Sequence, residues 1–320
     1  MHIEIKNPKF RKSLSFDKKN LKERFKIMYD ETFFTSPPGS SANVIFQAKK
    51  FLKGNTVLDL GCGSGRVSLY ASKYAKHVTG IDYIENAIKY SQKFSKLCNI
   101  KNVEFHVGDL DTLDNTKYDV ILMNEVLQHV DNPKNTMKKC NHLLKKGGFL
   151  IISMPSFNNF RGYVWMTLQT LFHLPMSLTD IHKISADDMQ KIAKNSGFKI
   201  EKMIGTAWDW AWSEWAIDDL KRRIFLAAKD AKIDKSADFK SINNWLDSNL
   251  LFNKQFLDSL ISKKILKKRP QTNLLQIPKN TNSKVKKYLD DGNSKKNLFY
   301  CDVSPFNRMG EGIIYILKKT

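Results

Sequence analysis

The chain has 320 residues, with 53 Lys+Arg against 32 Asp+Glu and a formal charge of +21. A hydrophobic content of 42% with 20 Phe places it among globular proteins and excludes wholesale disorder; the length suits one large domain or two small ones. Of the net charge, +7 falls in residues 1–56, +3 in 57–155, +2 in 156–205 and +9 in 206–320, so the centre is nearly balanced and the ends carry the excess.

Residues 1–40 are polar and basic, with one helix expected near Asn20–Asp30 and a break at Pro37-Pro38-Gly39. From Ala42 the texture turns to strands alternating with amphipathic helices. Thr56–Leu60 reads as a buried strand, Arg66–Lys76 as a helix, His77–Ile81 as a second strand and Glu85–Leu97 as a helix. Val103–Val107 and Tyr118–Met123 supply the third and fourth strands. Pro133–Leu144 is helical and stops at Gly147-Gly148, and Phe149–Ser153 makes a fifth strand. Ser185–Asn195 is a helix with a serine cap, followed by a strand at Phe198–Ile204. The last strand signal is distant, at Gly312–Leu317. Repeated strand–helix units predict a parallel sheet covered on both faces, with the hundred residues after Gly205 as an inserted cap.

The stretch richest in chemistry is Val57-Leu58-Asp59-Leu60-Gly61-Cys62-Gly63-Ser64-Gly65-Arg66, a strand running through a glycine turn into a helix. Glycines there let backbone approach a ligand, and the helix behind them offers unpaired N–H groups. The third glycine arrives one residue earlier than in the dinucleotide fingerprint, and Asp59 precedes the turn. Strand two ends in Gly80-Ile81-Asp82, strand three in Gly108-Asp109 and strand four in Asn124-Glu125. Polar ends on four strands lie along the edge where open parallel sheets bind ligands, and a carboxylate at Asp82 suits a pair of ribose hydroxyls.

With these motifs the chain resembles the class I S-adenosylmethionine-dependent methyltransferases, and within them the ubiquinone-biosynthesis O-methyltransferase-like branch, over residues 42–205 and the last ten. The resemblance implies a Rossmann-like α/β fold, a seven-stranded, mostly parallel sheet with an antiparallel last strand, to which the mixed helical pattern after Gly205 adds a helical inserted cap. It also implies S-adenosyl-L-methionine as cofactor. Asp59 and the Gly61-Cys62-Gly63 turn with Gly65 would hold its methionine part, Asp82 the ribose, and Tyr83 would pack beside the adenine. Asp109 and the Leu110 backbone would meet the adenine edge, and the Asn124 carbonyl the amino group. Glu125-Val126-Leu127-Gln128-His129-Val130 is similar to the branch's E-V-x-x-H-V stretch, and Lys145-Lys146-Gly147-Gly148 to the turn before its fifth strand. The implied division is an N-terminal lid or helical extension at 1–41, a core at 42–205 with 310–320, and an inserted cap at 206–309 that departs from the family.

Methyl transfer from a sulfonium asks the protein to align the acceptor, exclude water and take a proton. His129, with an imidazole that titrates near neutrality, is the candidate base; its other reading is a residue that caps or packs the following helix. His182 is a second acceptor-side candidate. Glu125 and Gln128 would orient a hydroxyl or a metal, but no dense His/Asp/Glu spacing argues for metal, so none is expected. Asn124-Glu125-Val126-Leu127 lacks the proline and aromatic residues with which base-amino methyltransferases hold a flipped base, which disfavours DNA.

The acceptor expected is small, with a hydroxyl, and lipid-linked or glycosidic. Rivals are an amine or RNA acceptor, a dinucleotide-dependent oxidoreductase, and a cofactor-binding scaffold without catalysis. The uncharged Tyr163–Phe172 segment suits a membrane interface, an acceptor channel or a helix packed under the cap. Trp208, Trp210, Trp212 and Trp215 suit a substrate lid, a stacking platform or an anchor for the insertion. The Lys263-Lys264…Lys267-Lys268-Arg269 cluster reads as an anionic-lipid or phosphate contact, or as a solvated patch. Nucleic acid is not favoured as a partner. Four cysteines without a CxxC pair, and an N-terminus without a signal-type apolar run, lead us to expect a reduced, cytoplasmic setting, with the chain soluble or at most peripheral to a membrane.

Overall fold

The computed structural model describes residues 23, 25–26, 29, 39–110, 113–172, 180–230 and 232–320. Most of the helix expected near Asn20–Asp30 and the Pro37-Pro38 break lie outside the described residues. Within that first helix Glu23, Phe25, Lys26 and Tyr29 are helical.

Helix α1 (Ser40–Leu52) leads into β1 (Thr56–Leu60), and α2 (Arg66–Ala71) follows the glycine turn. Next come β2 (His77–Asp82), α3 (Glu85–Leu97), β3 (Val103–Val107) and β4 (Tyr118–Asn124). After β4 come α4 (Pro133–Leu143), β5 (Leu144–Pro155), α5 (Phe160–Phe172), α6 (Ala186–Lys194) and β6 (Phe198–Thr206). Ser185 caps α6 in a reciprocal box with Asp188, as its position before an apolar periodic run predicts. Two bounds differ from expectation by more than two residues. Helix α2 ends in a turn after Ala71, and β5 begins at Leu144, because Gly147 (φ +74°) lets the chain bend without leaving the sheet.

The sheet order is β3-β2-β1-β4-β5-β9-β6-β8-β7. The first five strands pair in parallel, and β9 (Gly312–Lys319) runs antiparallel between β5 and β6. The central strands β1 and β4 are buried over most of their length, as a sheet covered on both faces requires. The sheet holds nine strands where seven were expected. The extra two, β7 (Lys267–Lys268) and β8 (Phe299–Cys301), come from the insertion and extend the β6 edge, with Gly205 and Thr206 opposite Cys301 and Tyr300. Strands of two and three residues carry no readable alternation.

The insertion has two parts. Helix α7 (Trp208–Ala211) leads into α8 (Glu214–Asp230), and α8 and α9 (Phe239–Ser262) pack with α5 around Trp165, Leu220 and Leu246. The tryptophans are anchors here: Trp208 and Trp212 stack at 6.1 Å and bury against Phe256 and Leu260, and Trp210 is also buried. The second part, with α10 (Ser283–Leu289), crosses the opposite face of the sheet. Leu274 joins the core under α1 and α2, while Tyr288 and Leu289 join the cluster around Leu69 and Phe94. Arg269 departs from the expected surface patch: it is buried, and its Nε donates to Asn43 Oδ1 at 2.8 Å. The neighbouring Lys263, Lys264, Lys267 and Lys268 are exposed.

Candidate active site

The glycine turn opens where β1 ends. Gly61 and Cys62 donate their N–H groups to the Ile81 carbonyl at 2.8 and 3.0 Å, which pins the turn to β2. Gly63 holds φ +55°, and a Cβ there would run into the Tyr29 hydroxyl. Only glycine meets both demands.

Asp82, the last residue of β2, accepts the Gly63 N–H at Oδ2 and the Ile84 N–H at Oδ1, each at 2.9 Å. One backbone donor per oxygen orients the carboxylate and leaves acceptor capacity for two ribose hydroxyls. Burial pushes its pKa to about 6 against the pull of those two donors. Asp59 is fully withdrawn from solvent and accepts the Ser68 hydroxyl at 2.5 Å. Burial, opposed by that bond and assisted by the charge of Asp82, pushes its pKa to about 7. A carboxylate in this state is stabilised by a cationic group brought beside it. The Cys62 thiol is driven well above its ordinary range by burial, then by Asp82 and Asp59, so it packs as a neutral group.

Further along the same edge, Tyr83 lies half-buried near Ile84 and Ala87. Gly108 N–H donates to the Asp82 carbonyl at 3.0 Å, setting the exposed Asp109 beside the end of β2, and Leu110 packs on the core. Asn124 closes β4, with its Oδ1 accepting from Ser153 Oγ at 2.8 Å. Asp59, Gly61, Cys62, Gly63, Gly65, Asp82, Tyr83, Asp109, Leu110 and Asn124 thus all fall at the C-terminal ends of β1 to β4 or in the loops that leave them.

Beyond β4 the site turns acidic. Glu125 holds a left-handed backbone (φ +58°), with its N–H on the Ser153 carbonyl at 3.0 Å. A strained non-glycine residue kept in place by a sheet partner is a recurrent mark of functional edges. Its carboxyl accepts from Ser153 Oγ and Gln128 Nε2. Burial, then the charges of Glu311 and Asp180, push its pKa to about 8, so it is mostly protonated at neutral pH. His129 Nδ1 lies 3.4 Å from Asp180 Oδ1, and the ring meets Phe25 edge-on at 5.2 Å. His182 faces elsewhere: its Nε2 bonds the Val130 carbonyl at 2.8 Å and its backbone N–H the Gln128 carbonyl, so it ties two loops together. Among the described residues no group of three His, Cys, Asp or Glu is arranged to hold a metal.

Four contributors carry no local sequence signal. Phe25 and Tyr29 come from the N-terminal segment. Phe25 also meets Tyr83 at 6.4 Å, and Tyr29 is buried over the turn. Burial, then the charge of Asp82, keeps the Tyr29 phenol far above its ordinary pKa, so it enters the site as a neutral hydroxyl. Asp180 and Glu311 arrive from loops before α6 and β9. Near Glu311, Arg161 and Arg223 clamp Asp219 at 2.8 and 2.9 Å; against the upward push of burial they hold its pKa to about 2.

Residues 51–215, just over half of the chain, match a family model described as a methyltransferase domain. The ubiquinone biosynthesis O-methyltransferase of Coxiella burnetii is 30% identical over 160 residues, 48% of this chain and 68% of that protein. The protein of the same name from Acinetobacter baumannii is 29% identical over 161 residues at the same coverage. A solved methyltransferase from Thermotoga maritima superposes with a TM-score of 0.49 at 12% identity, over 95% of this chain and 98% of that one. The chain belongs to the class I S-adenosylmethionine-dependent methyltransferases, in their ubiquinone-biosynthesis O-methyltransferase-like branch. S-adenosylmethionine is its cofactor, and the residues fit it: a side-chain-free turn at Gly63, an oriented carboxylate at Asp82 and a buried carboxylate at Asp59 that accommodates an ammonium. No helix among the described residues is long and apolar enough to cross a membrane.

Proposed function

We propose that the protein methylates a hydroxyl of a small, lipid-linked acceptor, with His129 as general base. The observation that carries this reading is the pairing of His129 Nδ1 with Asp180 at 3.4 Å. A carboxylate on Nδ1 favours the tautomer in which Nε2 is the basic nitrogen, the one suited to take the acceptor's proton. When bound, the cofactor supplies a methyl group already activated on sulfonium sulfur. Asp82 and the glycine turn hold it, and Phe25 and Tyr29 exclude water from that side. Glu125, protonated at neutral pH, donates to a second acceptor oxygen, and Gln128 orients it. The names of the 30% and 29% identical relatives support an oxygen acceptor.

A lipid-linked acceptor is supported by the α5, α8 and α9 layer. Tyr163, Leu171, Phe225, Trp245, Leu251 and Phe252 are each about half exposed or more on these three helices. Exposed lysines 240, 254, 263 and 264 lie in or just after α9. Exposed aromatics with lysines suit the surface of an anionic bilayer.

The deciding experiment follows S-adenosylhomocysteine release from the purified protein with a panel of phenols, prenylated phenols and glycosides, and matched amines. Release with hydroxyl acceptors, highest for prenylated ones, supports the reading. Release with amines alone overturns it.

A further inference from the structure

We infer that the insertion contributes a positioning residue to the cofactor site: Tyr288 of α10 fixes the glycine turn through Ser64, about 220 residues upstream in the chain. The Tyr288 hydroxyl is hydrogen-bonded to the Ser64 hydroxyl, and both residues are buried. Ser64 stands between Gly63, whose N–H orients Asp82, and Gly65, which begins α2. A turn of glycines has little stiffness of its own, so a bond at Ser64, between Gly63 and Gly65, removes freedom that the glycines on either side cannot remove.

The surrounding contacts make this a built support. The Arg66 guanidinium lies on the Tyr288 ring at 4.4 Å and donates from Nε to Ser41 Oγ at 2.9 Å, so the ring is sandwiched to α1 as well as to α2. Tyr70 donates its hydroxyl to the Leu289 carbonyl at 2.7 Å and receives the Asp291 N–H at 3.0 Å. The Asp291 carboxylate accepts from the backbone N–H groups of Gly39 and Ala42, capping α1 where the N-terminal segment enters. The same short stretch of the insertion therefore holds the turn and the root of the segment whose Tyr29 closes on Gly63. Pre-ordering of both walls lowers the conformational cost of binding S-adenosylmethionine. The insertion is thereby part of the cofactor site and not only a shaper of the acceptor side.

The test is calorimetric binding of S-adenosylhomocysteine to the full chain as wild type, Tyr288→Phe, Ser64→Ala and the double variant, with melting temperatures in parallel. Tyr288→Phe keeps the ring under Arg66 and deletes only the hydroxyl. A lost buried hydrogen bond that orders a binding turn weakens affinity by about five- to tenfold. We expect that weakening in each single variant and no further weakening in the double variant, at melting temperatures within about 2 °C of each other. Wild-type affinity in Tyr288→Phe, or losses that add in the double variant, overturns the inference. Absence of binding by the wild type would instead overturn the cofactor assignment, so the two failures are distinct.

Discussion

Asp180 stands 3.4 Å from the Nδ1 of His129, although about fifty residues and the three elements α4, β5 and α5 separate them in the chain. The loop that carries Asp180 is held there by backbone bonds from Ile181 and His182 to the Gln128 carbonyl. The proposed base and its carboxylate partner are thus brought together by backbone bonds as well as by their side chains. His129→Ala should lower methyl transfer by about a hundredfold or more, and Asp180→Asn by about tenfold or more, the usual range for loss of a positioned base and its partner. Both should leave S-adenosylhomocysteine affinity unchanged. Steady-state turnover and calorimetry on the same preparations check this, and full turnover in His129→Ala would return that residue to a packing role.

Asp82 binds backbone on both oxygens and titrates near 6 because it is buried. Asp82→Ala should weaken S-adenosylhomocysteine binding by at least about a hundredfold, since it removes two ligand hydrogen bonds to a charged group and frees the turn. In the wild type, affinity should fall as pH drops below 6, because protonation turns an acceptor into a donor. Calorimetry between pH 5 and 8 measures both effects.

Burial of carboxyls leaves a mark on stability. Asp59 and Glu125 titrate at about 7 and about 8 in the fold, against roughly 4 in an unfolded chain. Folding raises both values, so their contribution is fully present below the unfolded value and is lost as pH climbs toward the folded ones. The ligand-free protein should therefore melt at a lower temperature at pH 8 than at pH 5.5. Asp59→Asn, which cannot ionise, should flatten that decline. A variant with the wild-type slope would remove Asp59 as its source.

The Arg161–Asp219–Arg223 cluster joins α5 to α8 and is almost wholly buried. Asp219→Ala would remove the buried carboxylate that both guanidinium groups contact, a change that commonly costs about 3–5 kcal/mol. Urea unfolding should show that loss. Asp219→Leu paired with Arg161→Met should recover part of it, because the cost lies in the unpaired charge.

The cofactor half of the site was readable because each of its pieces is local. A strand with Asp59 one residue before its end, a turn with a glycine at every second residue, and a carboxylate closing the next strand all have short-range signatures. Asp180, Glu311, Tyr29 and Tyr288 have none, since their meaning comes from long-range packing onto edges that other segments create. The insertion shows the same limit. Its helices follow from periodicity, but β8 is three residues long and takes its identity from Gly205 and Thr206 beside it. Arg269 read as one more surface cation, and only the fold reveals that Asn43 and the Gly292 carbonyl draw it inside.

The placement of β9 has a bearing on biogenesis. This strand is bonded on both sides, to β5 and to β6, so residues 312–319 fill the middle of the sheet. During synthesis the ribosome would deliver β1 to β5 early, while β6, β8 and β7 wait as an unattached flap until Gly312–Lys319 emerges and zips the two portions together. Chaperone dependence and protease sensitivity of nascent chains should therefore concentrate on the interval between Phe198 and Gly312.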